Sequence, residues 1–245
     1  MDSPLSKKLI APFIKKHGIN MREFVIPDGG YKSFNDFFVR EFADGARAID
    51  GDPLSIISPA DSRSFVVPDI SIEQQNIPVK GGMYDLVELF GGDKESAEQF
   101  DKGSMMICRM TPVDAHRFNY VSDGTTDKSF EVDGHLNSVN PVATQHIDSH
   151  LENKRHITVT TTKYGKVAYI DVGALFVGSI HENNMNEFKK GFPRGFFKFG
   201  GSTVLVIFEK DMMKFDEDLL KYSLDSTMET RVKMGEKIGS FLKKS

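Results

Sequence analysis

The segment with the most chemical promise is Gly200-Gly201-Ser202-Thr203, which runs directly into Val204-Leu205-Val206-Ile207-Phe208. Paired glycines permit turns that other residues cannot adopt. A serine after such a turn can bring its hydroxyl onto the carbonyl of the preceding residue, although it is a weak nucleophile until a base takes its proton. Alone, these four residues describe a tight turn with a polar cap. His146 and His150 stand four apart with Asp148 between them, a spacing that could hold zinc on a helix, and His156 follows. The glutamate placement of a metalloprotease is missing, so no metal site is expected. His17, His135 and His181 have no readable partner. Lys189 and Lys190 beside Phe192, Phe196 and Phe197 read as a solvated charge run next to core aromatics, with an anionic lipid surface as the alternative.

The elements that must position Ser202 are mostly strands. Leu54–Ile57, Ser64–Val67, Met105–Met110, His156–Thr161, Val167–Val172 and Thr203–Phe208 are short branched or apolar runs. Tyr164-Gly165 predicts a hairpin turn between the fourth and fifth. Residues 5–16 predict an amphipathic helix, with Leu5, Leu9, Ile10, Phe13 and Ile14 on one face and Lys7, Lys8, Lys15 and Lys16 along its edge; Pro12 works against it. A second helix is expected over residues 31–42, started by Ser33 with Asp36 in a capping-box arrangement, and a third near Tyr84–Phe90, closed by Gly91 and Gly92. The tail from Phe215 reads as helical and charged. The predicted fold class is α+β: a β-rich sandwich or barrel core with helices packed outside and an amphipathic N-terminal helix, in a single domain over 1–245.

Composition sets the outer bounds. The 245 residues carry a net charge of −4, which argues against a sequence-independent nucleic-acid binder. Cys108 is the single cysteine, so neither an internal disulfide nor a cysteine zinc site can form. No apolar run reaches the roughly 18–20 residues of a membrane span, and no signal peptide is evident. A cytoplasmic protein, free or peripheral to a membrane, is expected.

Read in order, several segments form a series: Tyr31–Arg40 (YKSFNDFFVR), Pro53, Ser58-Pro59-Ala60-Asp61, Val79-Lys80-Gly81 with Tyr84, and Thr111-Pro112-Val113-Asp114-Ala115-His116-Arg117-Phe118. Then come Ser138-Val139-Asn140-Pro141, Glu152-Asn153-Lys154-Arg155, Val172-Gly173-Ala174, Val177-Gly178-Ser179-Ile180 and the final Gly-Gly-Ser-Thr. Over roughly residues 5–210 the series resembles the phosphatidylserine decarboxylase family, in the branch whose self-cleavage motif is Gly-Gly-Ser-Thr. The resemblance implies a pyruvoyl enzyme that makes its own prosthetic group. Ser202 attacks the carbonyl of Gly201, elimination releases residues 1–201, and the dehydroalanine left behind hydrolyses to a pyruvoyl group with loss of ammonia. Residues 202–245 become the small partner of a heterodimer of the chain's own two fragments, and a homodimer is compatible with this. Neither a metal nor pyridoxal phosphate is implied.

The same resemblance assigns Asp61 as the aspartate of an Asp–His pair that activates the serine, and His116 as the first histidine of the family's Asp-Tyr-His-Arg-x-His motif. It makes His116 the candidate acid for the decarboxylation step, with Gly200, Thr203 and Asn119 in support. Three positions depart from the pattern. Asn119 replaces the second histidine, and an amide has no titratable lone pair near neutral pH. Ser62 replaces a glycine after Asp61, and Ala115 replaces the tyrosine. The expected activity is conversion of phosphatidylserine to phosphatidylethanolamine and carbon dioxide at a membrane surface, with the basic N-terminal helix as the contact. The departures leave two alternatives: decarboxylation of a soluble amino acid, or a non-catalytic binding protein.

Overall fold

The computed structural model describes residues 1–72, 77–79, 82–134, 153–173, 180–183, 185–199, 202–226 and 228–243. Of the segments singled out in the sequence, Lys80-Gly81, His135, Ser138–Pro141, His146, Asp148, His150, Glu152, Ala174, Val177–Ser179, Gly200 and Gly201 lie outside the described residues.

The helices are α1 (Ile10–His17), α2 (Phe34–Phe38), α3 (Leu86–Leu89), α4 (Lys94–Gln99) and α5 (Glu217–Ser226). The strands are β1 (Ser55–Ile57), β2 (Ser62–Val67), β3 (Ile77–Val79), β4 (Gly82–Tyr84), β5 (Ser104–Met110), β6 (Arg117–Asn119), β7 (Gly124–Val132) and β8 (Arg155–Thr161). They continue with β9 (Lys166–Val172), β10 (Ile180–Glu182), β11 (Glu187–Phe188), β12 (Pro193–Phe197), β13 (Ser202–Phe208), β14 (Met213–Phe215), β15 (Thr230–Val232) and β16 (Lys237–Phe241).

An eight-stranded antiparallel sheet, in the order β11-β7-β8-β9-β13-β5-β2-β15, is the backbone of the fold. The run Val204–Phe208 takes a central place in it because every residue of β13 is buried, and a strand apolar on both faces is stable only where both faces are covered. Alternate side chains of β13 serve two cores. Val204, Val206 and Phe208 join Met106, Cys108 and Met110 in one core, roofed by the small sheets β1-β16-β14 and β10-β12-β6 and by Leu219 of α5. Leu205 and Ile207 join Ile157, Ile170 and Ile107 in the other, roofed by Leu86 and Leu89 of α3, Ala97 of α4 and Phe100. The α+β expectation, with a β-rich core and helices outside, holds. The packing is sandwich-like, and among the described residues the sheets do not close into a barrel.

The six expected strand runs all fall in strands except for Leu54, which lies just before β1, and β8 and β9 form a hairpin whose connection, residues 162–165, contains Tyr164-Gly165. The N-terminal helix is split: a 3-10 segment, Pro4–Leu9, precedes α1. Pro12 has no N–H for the carbonyl four residues earlier, so the α-helical ladder cannot extend unbroken to Leu5. The helix expected over 31–42 shortens to α2. Ser33 Oγ accepts from the Asp36 amide at 3.1 Å, while Asp36 takes the Lys32 amide at 2.7 Å rather than that of Ser33. The expected helix at 84–90 contracts to α3, followed by Gly91 and Gly92 at positive φ. The tail is helical only in α5 and then returns to the sheets as β15 and β16.

Candidate active site

Ser202 opens β13. It is fully buried, and its hydroxyl has no hydrogen-bond partner among the described residues. In the antiparallel ladder it lies opposite Met110 on β5, and directly opposed residues share a sheet face. The next row on that face is Val204, Cys108 and Ser64. Ser62 Oγ lies 2.9 Å from Ser64 Oγ, which donates to Cys108 Sγ at 3.7 Å. Burial pushes the Cys108 thiol up to about 12, so it stays protonated and offers no competing nucleophile. Thr203 Oγ1, on the opposite face, is likewise buried and without a partner among the described residues.

The helix α2 holds both His116 and the chain that leads to Ser202. Its four buried residues include Phe34, Phe37 and Phe38, an aromatic cluster with Tyr31. Phe38 stacks on the His116 ring with centroids 3.8 Å apart, and its carbonyl accepts the His116 amide at 3.2 Å. Asn35 Oδ1 accepts the Phe199 amide at 2.6 Å, and the Phe199 ring lies 5.1 Å from that of Phe38. The Phe197 amide donates to the His116 carbonyl at 2.8 Å. Arg40, almost wholly buried, donates to the carbonyls of Phe37 and Val113 and lies over the rings of Phe24 and Phe37. Burial lowers its pKa to about 10, which still leaves it charged.

The turn ahead of His116 is closed by Asp114, which accepts from the Thr111 amide at 2.8 Å and its hydroxyl at 2.6 Å. Burial raises the Asp114 carboxyl above the usual range against these bonds. His116 is fully buried, with Nδ1 3.0 Å from the Asp114 carbonyl. A carbonyl only accepts, so in the neutral ring Nδ1 carries the proton and Nε2 carries the lone pair.

Asp61 sits just before β2. Arg47 Nε and Nη2 donate to its two oxygens at 2.8 and 2.5 Å, and the Met234 amide adds a third bond at 2.9 Å. Arg47 also pairs with Glu23 at 2.8 Å. Asn119, at the end of β6, donates from Nδ2 to the Gly191 carbonyl at 2.6 Å, and its amide reaches the Pro59 carbonyl at 2.9 Å. That second bond ties β6 to the segment carrying Asp61. The structure thus links Asp61, His116 and Asn119 through one set of loops. No hydrogen bond joins any of them to the Ser202 hydroxyl. Sequence reasoning missed Asn35, Phe38 and Arg47. Asn35 could have been found as a polar residue within the apolar helix of YKSFNDFFVR; Arg47 has no local signal.

A second buried cluster lies where β9, β10 and β12 meet. Arg194 is fully buried and paired with Asp171 and, at 3.3 Å, with Glu182; His156 Nδ1 lies 3.5 Å from Glu182. His156, Asp171 and Glu182 have a ligand-like spacing, but the Arg194 guanidinium already supplies the positive charge there. Burial, reinforced by the Asp171 charge, raises Glu182 to about 9 in spite of Arg194.

A family model described as phosphatidylserine decarboxylase matches residues 34–240. A phosphatidylserine decarboxylase proenzyme of Clostridium novyi is 41% identical, over 98% of this chain and 82% of its own length. Proenzyme 2 of Clostridium acetobutylicum is 39% identical over 96% of this chain and 79% of its own. A Chlamydia trachomatis proenzyme is 39% identical over 96% and 78%.

Proposed function

The chain belongs to the phosphatidylserine decarboxylase family, and from that premise we propose that it cuts itself between Gly201 and Ser202 and then converts phosphatidylserine to phosphatidylethanolamine and carbon dioxide. The observation that carries the reading is the Ser202 hydroxyl, fully buried and unbonded among the described residues at the first position of a central strand. A buried hydroxyl without a partner costs about 1–3 kcal/mol, and conversion of Ser202 to a pyruvoyl group removes that hydroxyl. The residues therefore fit a pyruvoyl group derived from Ser202. That group supplies an electron sink for the departing carboxylate, with no metal ion or pyridoxal phosphate required.

The remaining roles belong to the chain's own side chains. His116, fixed by Phe38 and the Asp114 carbonyl, presents Nε2 to take or return a proton. Asp61, with donors on both oxygens, orients the surrounding loops as the aspartate of the activating pair. Thr203 and Gly200 are assigned a supporting role beside the cut. Cutting at 201–202 leaves the fragments interlocked. β13 is hydrogen-bonded to β5 and β9, β15 to β2, and β16 to β1, so residues 202–245 remain threaded through the larger fragment as its permanent partner.

The substrate's acyl chains require a lipid surface. Among the described residues no helix is long and apolar enough to cross a membrane. Leu5 and Leu9 are exposed on the N-terminal segment with the exposed Lys7 and Lys8, and Val25 and Ile26 are exposed as well, a composition suited to peripheral contact with anionic lipid.

Intact-protein mass spectrometry tests the central step. The parent is expected to give two masses, the smaller with a keto cap in place of an amino terminus. Ser202→Ala is expected to give one full-length mass and no carbon dioxide from phosphatidylserine vesicles. Parent-like carbon dioxide release by that variant would overturn the reading.

A further inference from the structure

The sheet face opposite Ser202 carries a row of arginines at the same end. Reading the ladders across, Arg155 on β8 pairs with Val172 on β9, Val172 with Thr203 on β13, Thr203 with Arg109 on β5, Arg109 with Arg63 on β2, and Arg63 with Arg231 on β15. Directly opposed residues share a face, so these side chains leave the sheet on one side, one residue beyond Ser202. Four like charges along one row must each be answered.

Two of them are. Arg155 donates to the carbonyls of Leu89, Glu88 and Asn153. Arg109 is held bidentate by Glu229 at 2.8 and 2.5 Å. Arg231 is exposed to water. Arg63 is half-buried and close enough to Asp114 to favour that carboxylate's charge, but its Nη1 is buried and makes no hydrogen bond among the described residues. Thr203 Oγ1, two strands along the same row, is in the same condition. At about 4.8 Å per strand, the backbones of Thr203 and Arg63 are roughly 10 Å apart, with Arg109 between them.

We propose that Arg63 binds the phosphodiester of the phospholipid headgroup near the end of β13 that carries position 202. A buried guanidinium N–H calls for an anionic oxygen, and a planar fork suits phosphate. Cutting at 201–202 frees the preceding chain from the end of β13 at which this row lies. The assignment rests on the decarboxylase reading and adds the group by which the substrate is recognised: the phosphate, rather than the serine moiety alone.

The test separates recognition from processing. Arg63→Gln is expected to be cut like the parent by mass spectrometry. Its KM for phosphatidylserine vesicles should rise roughly tenfold or more, the worth of one charge-assisted hydrogen bond, with kcat little changed. Arg63→Lys should recover part of the loss, and Arg231→Gln should match the parent. A parent-like KM in Arg63→Gln overturns the proposal. If Arg63→Gln fails to be cut, Arg63→Lys decides instead: a raised KM supports the assignment and an unchanged one overturns it. A calorimetric titration distinguishes failure of this inference from failure of the decarboxylase reading. The parent should bind glycerophosphoethanolamine more tightly than ethanolamine, and Arg63→Gln should lose that preference, whether or not carbon dioxide is released. The absence of a preference in the parent, or its retention in Arg63→Gln, overturns the proposal.

Discussion

At the scale of single residues, the informative position is Asn119. Its amide donates to the Gly191 carbonyl and braces β6, so it contributes geometry but no titratable lone pair. Asp61 is occupied by three N–H donors. Among the described residues, neither a histidine nor a carboxylate is hydrogen-bonded to the Ser202 hydroxyl. Asn119→His is expected to speed the appearance of the two fragments by roughly a hundredfold, the usual worth of a positioned general base, as followed by intact mass against time. An unchanged rate would place the start of the reaction elsewhere. Ser202, Asp61 and His116 were singled out from the sequence because each sits in a segment that resembles a family motif. Asn35, Phe38 and Arg47 were not, because they act through tertiary contacts: nothing in the sequence says that Arg47 will meet Asp61, or that Phe38 will lie flat on an imidazole.

At the scale of elements, legibility followed burial. The strand β13 is buried at all seven positions and reads as an uninterrupted apolar run. The nine-residue β7 was missed because it alternates between half-buried and exposed positions and spends Thr, Asp, Lys and Ser on them, a pattern that mimics a loop. Likewise β15 and β16 were concealed by their charged surroundings, since three to five residues are too few to show a period. The strands β9, β10 and β12 are held together by one buried ion cluster, which yields a pH dependence. Burial raises Glu182 from 4.5 to about 9, so over that interval the folded chain holds a proton that the unfolded chain has released. The stability contributed is complete below pH 4.5 and is lost as pH rises towards 9. Burial lowers His156 and His181, which acts in the opposite sense but below about pH 7. Between pH 7 and roughly 8.5 the melting temperature should therefore fall, and Glu182→Gln, neutral throughout, should flatten that fall. Parallel thermal melts of parent and variant give the comparison; equal slopes would assign the proton to another group.

At the scale of the whole molecule, the N-terminal helix divides its apolar residues between two tasks. Ile10, Phe13 and Ile14 pack on the aromatic cluster of α2, with the Phe13 and Phe34 rings 5.2 Å apart. Leu5 is 78% exposed, and Leu9, Val25 and Ile26 are exposed with it. The sequence placed all five apolar residues of 5–16 on one face, but the break at Pro12 and the docking of α1 leave the two leucines facing water. That division lets the membrane contact be tested without dismantling the core: removing residues 1–16 would strip the packing of α2, and with it the support of His116, whereas Leu5→Asp with Leu9→Asp changes only exposed side chains. The double variant should still cut itself into two fragments, because α2, His116 and Ser202 keep their neighbours. It should lose flotation with anionic phospholipid vesicles by roughly tenfold or more, since each leucine withheld from the lipid forfeits on the order of 1.5–3 kcal/mol of burial. Turnover of vesicle substrate should fall in step, while titration with the water-soluble glycerophosphoethanolamine stays at the parent value. Parent-like flotation would move the membrane contact away from this end of the molecule and leave the chemistry at Ser202 untouched.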